Sequence, residues 1–269
     1  MFSVSAKLAI AISIVFGVTS MAWSQEKAKE EKQKIEFNAN LETPCLTYNV
    51  KMGHHHMEKT IDPLPRMRVW PSGKVIIRHR GVEVEGELPK KVLMAALEFL
   101  VNEKGIYELS AEGIKKDIET SGKKLYMNDG LTSNITLDLK NGQHTLEVFA
   151  SDFTLKVVPD LKSMKRAMAI ERKMEQTMAR TLLKNGKNQR SAVTRVNEAL
   201  REKIKKKLDL FTFEDIKRAD PIKDGKTKIS FEQIIVNKKK GTKSRLIGRY
   251  TRKEDGSESA TVIVLGIPK

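Results

Sequence analysis

The chain has 269 residues, 39% of them apolar, enough for a sizeable core in one large domain or two small ones. Its single cysteine, Cys45, excludes an intrachain disulfide. The net charge is +16 and is unevenly placed: residues 1–160 hold 21 basic and 21 acidic residues, whereas 161–269 hold 29 basic and 13 acidic ones. The whole excess therefore belongs to the C-terminal part, which points to a polyanionic partner there.

At the N-terminus, Lys7 precedes an apolar run from Leu8 to Val18, and Ala22-Trp23-Ser24 puts small residues where a signal peptidase reads. Residues 1–24 thus have the layout of a secretory signal peptide. The run is shorter than the roughly 20 residues of a transmembrane span. The expected location is secreted, periplasmic or cell-envelope, and an uncleaved anchor is the alternative. Residues 25–40 begin QEKAKEEKQK, are rich in charge and lack apolar periodicity, the mark of a disordered leader.

A first α+β domain is expected over 41–183. Leu46 to Lys51 is β-prone. Arg66 to Trp70 and Lys74 to Arg78 flank Pro71-Ser72-Gly73, which predicts a hairpin. Glu83, Glu85 and Glu87 alternate along a strand end and read as a solvated edge. Pro89 then opens a helix carrying Val92, Leu93, Ala96, Leu97, Leu100 and Val101 at helical spacing, and Gly105 closes it. Asp129-Gly130 opens a second hairpin over 133–150, with clean alternation at Ile135, Leu137 and Leu139 and a turn at Asn141-Gly142. A long helix follows, with Leu161, Met164, Met168, Met174, Met178 and Leu182 on one face, a stripe that reads as core.

The break at 184–188 begins a basic region, 184–269, either a second domain or part of the first. Val193, Val196, Leu200, Ile204, Leu208 and Phe211 predict a second helix and hence a helical hairpin. Three strands are expected at Ile229–Val236, Arg245–Arg252 and Ala260–Leu265, turning at Lys240-Gly241 and Asp255-Gly256. The fold class is α+β: β-hairpins packed with helices, a helical hairpin and a C-terminal antiparallel meander.

The succession PCLTYNV, MRVWPSGKVIIRHRG, GELPKKVLMAALEFLVNEKGIYEL, DGLTSNITLDL and NGQHTLEV resembles uncharacterised exported bacterial proteins of a type frequent in planctomycetes. The resemblance covers about residues 44–180. It implies an architecture and an exported location, and no chemistry.

Two features could carry function. His54, His55 and His56, between Met52 and Met57, have ligand character for copper or zinc, so a metal-handling protein or metal-dependent hydrolase is the alternative reading. Cys45 reads as a small buried hydrophobe, and His79 and His144 as surface residues. No nucleophile elbow, phosphate-binding loop or dinucleotide fingerprint occurs, which argues against an enzyme. The stronger feature is the acid-free run Lys238, Lys239, Lys240, Lys243, Arg245, Arg249, Arg252 and Lys253. It predicts a non-enzymatic, envelope-associated protein binding an anionic glycan or lipid head group. Nucleic acid is disfavoured, because Tyr250 is the sole aromatic in that run.

Overall fold

Apolar alternation builds the first sheet. The computed structural model describes residues 32–52, 64–125, 130–205, 210–237 and 242–267. Within them, β1 (Leu46–Met52), β2 (Met67–Val69), β3 (Lys74–His79), β4 (Val82–Glu87), β5 (Leu131–Leu139) and β6 (Gly142–Phe149) form an antiparallel sheet in the order β4-β3-β2-β1-β5-β6. Register puts Leu46 and Tyr48 beside Val69 and Met67 on one side, and beside Leu137 and Ile135 on the other. These side chains share one face and are buried. Glu83, Glu85 and Glu87 are exposed along the edge strand β4, as their alternation predicts.

The expected helix is α1 (Lys90–Glu98), which passes into a π-helical turn at Phe99–Glu103. Gly105, at φ +55, supplies the left-handed residue that ends it. A second helix, α2 (Ala111–Thr120), was not legible in the sequence. It has one fully buried residue, Ile114, and is N-capped by Ser110, whose side chain accepts from the Gly113 N–H. After β6, α3 (Ser151–Val157) and α4 (Lys162–Leu183) follow.

α4 is the middle layer. Met164, Ala167, Ile170, Met174, Met178 and Leu182 are buried, so the methionine stripe is core apart from the half-buried Met168. The helix presses closely on β4: a Cβ on Gly86 would stand 2.5 Å from Thr181 Cγ2. Turning at Asn185, which caps through Asn188 N–H, the chain enters α5 (Gly186–Ile204) and completes the helical hairpin. Phe211, expected on that helix, lies beyond it. The buried Asn197 side chain accepts from the Leu210 and Phe211 N–H groups and donates to the Phe211 carbonyl, holding the ring in the core.

The C-terminal meander has four strands, one more than expected: β7 (Ile216–Ile222), β8 (Lys226–Asn237), β9 (Thr242–Arg252) and β10 (Glu258–Ile267), in the order β10-β9-β8-β7. α5 covers its inner face. At Gly248 the two approach closely, since a Cβ there would stand 2.3 Å from Val196 Cγ1. Both sheets and the helices between them contribute to one core cluster, and Gln33–Lys269 form one compact unit. The last part of the expected leader also belongs to this unit. Ile35 and Phe37 pack on the core, and Gln33 N–H and Asn38 Nδ2 donate to Asn102 and Asp138. Two apolar residues spaced by one are enough to dock a segment that charge content alone would leave loose.

Candidate functional site

Three charged regions emerge once α4 lies between the sheets. The first is buried. Arg66, just before β2, points its guanidinium between α4 and β7. Nη1 donates to Glu175 Oε1 at 2.7 Å, and Nη2 to Asp220 Oδ1 at 2.8 Å and the Ala219 carbonyl at 3.1 Å. Glu175 also accepts from Tyr48 Oη at 3.1 Å and from the Ala219 N–H at 2.8 Å. Arg218 Nε closes the other side of Asp220 at 2.7 Å. Two cations and two carboxylates thus neutralise one another, tying β1, α4 and β7 together. Burial opposes the charge of Arg66, but the neighbouring carboxylates win and hold its pKa up, while burial pushes the Tyr48 phenol well above its ordinary value.

His79 is not a surface residue: it is half-buried with Nδ1 3.6 Å from Asp220. Burial depresses its pKa, opposed by Asp220 and aided by Arg218, Arg66 and Arg80. His144 is likewise half-buried, with Nε2 3.0 Å from the Leu109 carbonyl oxygen and its ring edge-on to Tyr107. Cys45 is 2% exposed, and burial pushes its thiol up to about 12, which removes it as a nucleophile.

The second region is a cavity of about 310 Å³ beside that network. The ends of β1 and β5 supply Val50 and Ser133, α4 supplies Met168, Glu171 and Glu175, and α3 and β7 wall the sides. Its bend is built on Ala150, held at φ +48 by an N–H bond to the Leu131 carbonyl. This left-handed alanine costs roughly 1–2 kcal/mol. Ser133 and Ser151 line the cavity with Glu171, and hydrogen bonding to them favours its ionised form. Burial nevertheless raises the pKa of Glu171, with the two serines pulling against it. Both glutamates were missed at the sequence level. The signal was present, because 171 and 175 fall in the same stripe as 164, 168, 178 and 182, so they put carboxylates where the pattern calls for core.

The third region is the outer face of the C-terminal sheet, away from α5. Strand register sets its rows: Ser230–Arg249–Thr261, Glu232–Ile247–Ile263, Ile234–Arg245–Leu265, and Val236 beside Lys243. Of the cations expected to bind a polyanion, Lys243, Arg245 and Arg249 share this face. Arg245 is bound to Glu232 at 2.8 Å, while Lys243 and Arg249 are exposed with no ion pair among the described residues. Arg252 does not join them. Even-numbered β9 residues face α5, and Arg252 pairs there with Glu258. Lys253 is exposed in the β9–β10 turn. Lys238, Lys239 and Lys240 lie outside the described residues, as do His54, His55 and His56. No group of three or more His, Cys, Asp or Glu side chains arranged for a metal occurs among the described residues. Tyr250 is buried and faces the core, so it offers no ring for stacking.

The same face carries apolar side chains from the ends of the expected strands. Ile234, Val236 and Leu265 are 56, 55 and 44% exposed, with half-buried Ile247 and Ile263 between them. Within the described residues no helix is long and apolar enough to cross a membrane. Compared with protein-family models, curated proteins and solved structures, the chain matches none.

Proposed function

We propose that this protein is a non-enzymatic binding protein of the cell envelope that docks on an anionic lipid surface through the outer face of β8–β10. The supporting observation is the composition of that uncovered face: Ile234, Val236 and Leu265 stand exposed beside Lys243 and Arg249. A glycan would use the cations alone. A lipid surface uses both sets, because apolar side chains enter the head-group region while lysine and arginine meet anionic head groups. Each cation held close to such a surface contributes about 1 kcal/mol. Each aliphatic side chain contributes up to about 1.5–3 kcal/mol if fully buried. The sum suits reversible attachment. Export, read from residues 1–24, would put the face in contact with envelope leaflets.

The test is co-sedimentation of the chain from Gln25 onward with phosphatidylglycerol vesicles, with phosphatidylcholine vesicles and with heparin beads as comparison arms. Retention on the anionic vesicles, weakening as salt rises, is expected. No retention at low salt refutes the proposal. Equal retention on heparin that survives removal of Ile234 and Leu265 would make the ligand a polyanionic polymer instead. Dimerisation through this face, measured by analytical ultracentrifugation, would make its occupant a second copy of the chain.

A further inference from the structure

The cavity beside the buried network has a charge pattern of its own. Of its charged groups, Glu175 is neutralised by Arg66, Asp152 by Lys217, and Arg218 by Asp220. That leaves Glu171 and Arg172. Both line the cavity, and neither has an ion-pair partner among the described residues. Their signs are opposite, and neither is held in an ion pair among those residues, although Lys217, itself bonded to Asp152, also faces Glu171. The lining also includes the side chains of Val50, Leu131, Phe153 and Met168, all only partly buried or exposed.

A simple anion would meet Arg172 but face Glu171. A simple amine would meet Glu171 but face Arg172. We propose that the cavity binds a small zwitterion with an apolar body, an apolar α-amino acid. Its ammonium meets Glu171, its carboxylate meets Arg172, and its side chain lies against Leu131, Phe153 and Met168. Glu171 and Arg172 both line the cavity, so a small ligand carrying both charges can meet the two from within it. Arginine suits the carboxylate because its planar fork matches two oxygens at once. The volume, about 310 Å³, is at the low end of ligand pockets and excludes large cofactors. The left-handed Ala150 lines the same cavity and leads directly into Ser151, another lining residue. Ligand binding would favour ionised Glu171, so association should release a proton at pH values where the free carboxyl is protonated.

Isothermal titration of the protein with L-leucine, L-methionine and L-phenylalanine tests this, with isoamylamine and 4-methylvalerate as analogues that lack one charge. At least one amino acid should bind, and each analogue should bind at least roughly tenfold more weakly. Glu171→Gln and Arg172→Gln should each weaken binding by roughly tenfold or more while the protein stays folded by circular dichroism. Met168→Trp, which fills the cavity from its apolar side, should also abolish binding. No heat and no thermal shift with any of the three amino acids at about 10 mM overturns the proposal. So does unchanged affinity in Glu171→Gln. Equal binding of isoamylamine would reduce the site to an amine site and overturn the zwitterion. This test involves neither lipid nor the outer face of β8–β10, so its failure leaves the membrane proposal standing.

Discussion

Arg66 and Arg249 lie in regions of opposite character. Arg66 is 8% exposed and spends its guanidinium on Glu175, Asp220 and the Ala219 carbonyl. Arg249 stands exposed in a row with Ser230 and Thr261, with no ion pair among the described residues. A charge taken from water must be neutralised where it lies, so the ion pairs of the first region hold the fold together. A charge left in water contributes little to the fold and remains available. Counting basic residues along the chain merges the two kinds. Arg218, Arg245 and Arg252 all add to the C-terminal excess, yet each is already bound to a carboxylate.

The sharpest way to break this comparison is to remove one partner from the buried side. Glu175→Ala leaves Arg66 with one carboxylate fewer and takes the acceptor from Tyr48 and the Ala219 N–H. Breaking a buried pair this way costs roughly 3–5 kcal/mol. Urea unfolding should show a loss of that size. A loss below about 1 kcal/mol would mean that water enters the network and that it resembles a surface pair.

A smaller effect probes how α4 reaches the network. In Gly86→Ala the new Cβ falls 2.5 Å from Thr181 Cγ2, so helix and strand must separate. Overpacking of this kind costs roughly 1–3 kcal/mol. Thr181→Ser removes the opposing methyl and should restore much of the loss in the double variant. Absence of such rescue would place the strain elsewhere.

Much of this architecture was legible in the sequence. The alternation at Ile135, Leu137 and Leu139 and the Asn141-Gly142 turn gave β5 and β6, and the Pro89–Gly105 frame gave α1. β7 was hidden because KRADPI joins charge to a proline, two features that disfavour strands. Its charges are tolerated because Asp220 and Arg218 pair, with Arg66 reaching them from the first sheet. That long-range match has no local signature. The cationic face was half legible. Parity along β9 separates Lys243, Arg245 and Arg249 from Arg252, but parity requires a strand register that the sequence does not display. The cavity was visible only as Glu171 and Glu175 interrupting a methionine stripe, and the reading kept to the methionines.

Glu171 and His79 flank the network and titrate with opposite consequences. Burial raises the pKa of Glu171, so folding takes up a proton between about pH 4.3, the unfolded value, and the raised one. Its contribution to stability is present at acid pH and lost as pH rises through the folded value. Burial lowers the pKa of His79, so the unfolded chain holds its proton longer. That contribution is present above about pH 6.5 and lost as pH falls toward the folded value. Glu171→Gln should therefore raise the thermal midpoint at pH 7 and leave it nearly unchanged at pH 4. An equal gain at both pH values would show that amide packing, not charge, is responsible. A group that weakens the fold at neutral pH while facing a cavity fits a binding role.

The smallest effect on stability is expected on the outer face. Ile234→Ser, Leu265→Ser, Lys243→Gln and Arg249→Gln change side chains that stand in water, and Lys243 and Arg249 hold no partner among the described residues. Each should shift unfolding by no more than about 0.5 kcal/mol. On phosphatidylglycerol vesicles the same four changes should act strongly, and differently by type. The glutamine variants lose the part of binding that salt screens, so the remaining affinity should depend less on ionic strength. The serine variants lose the salt-independent part, so their binding should be abolished at moderate salt while surviving at low salt. If the serine variants instead unfold much more readily than the wild type, Ile234 and Leu265 hold the sheet together rather than meet a lipid. The contrast between a buried region that stabilises and an exposed one that binds would then fail at its exposed end.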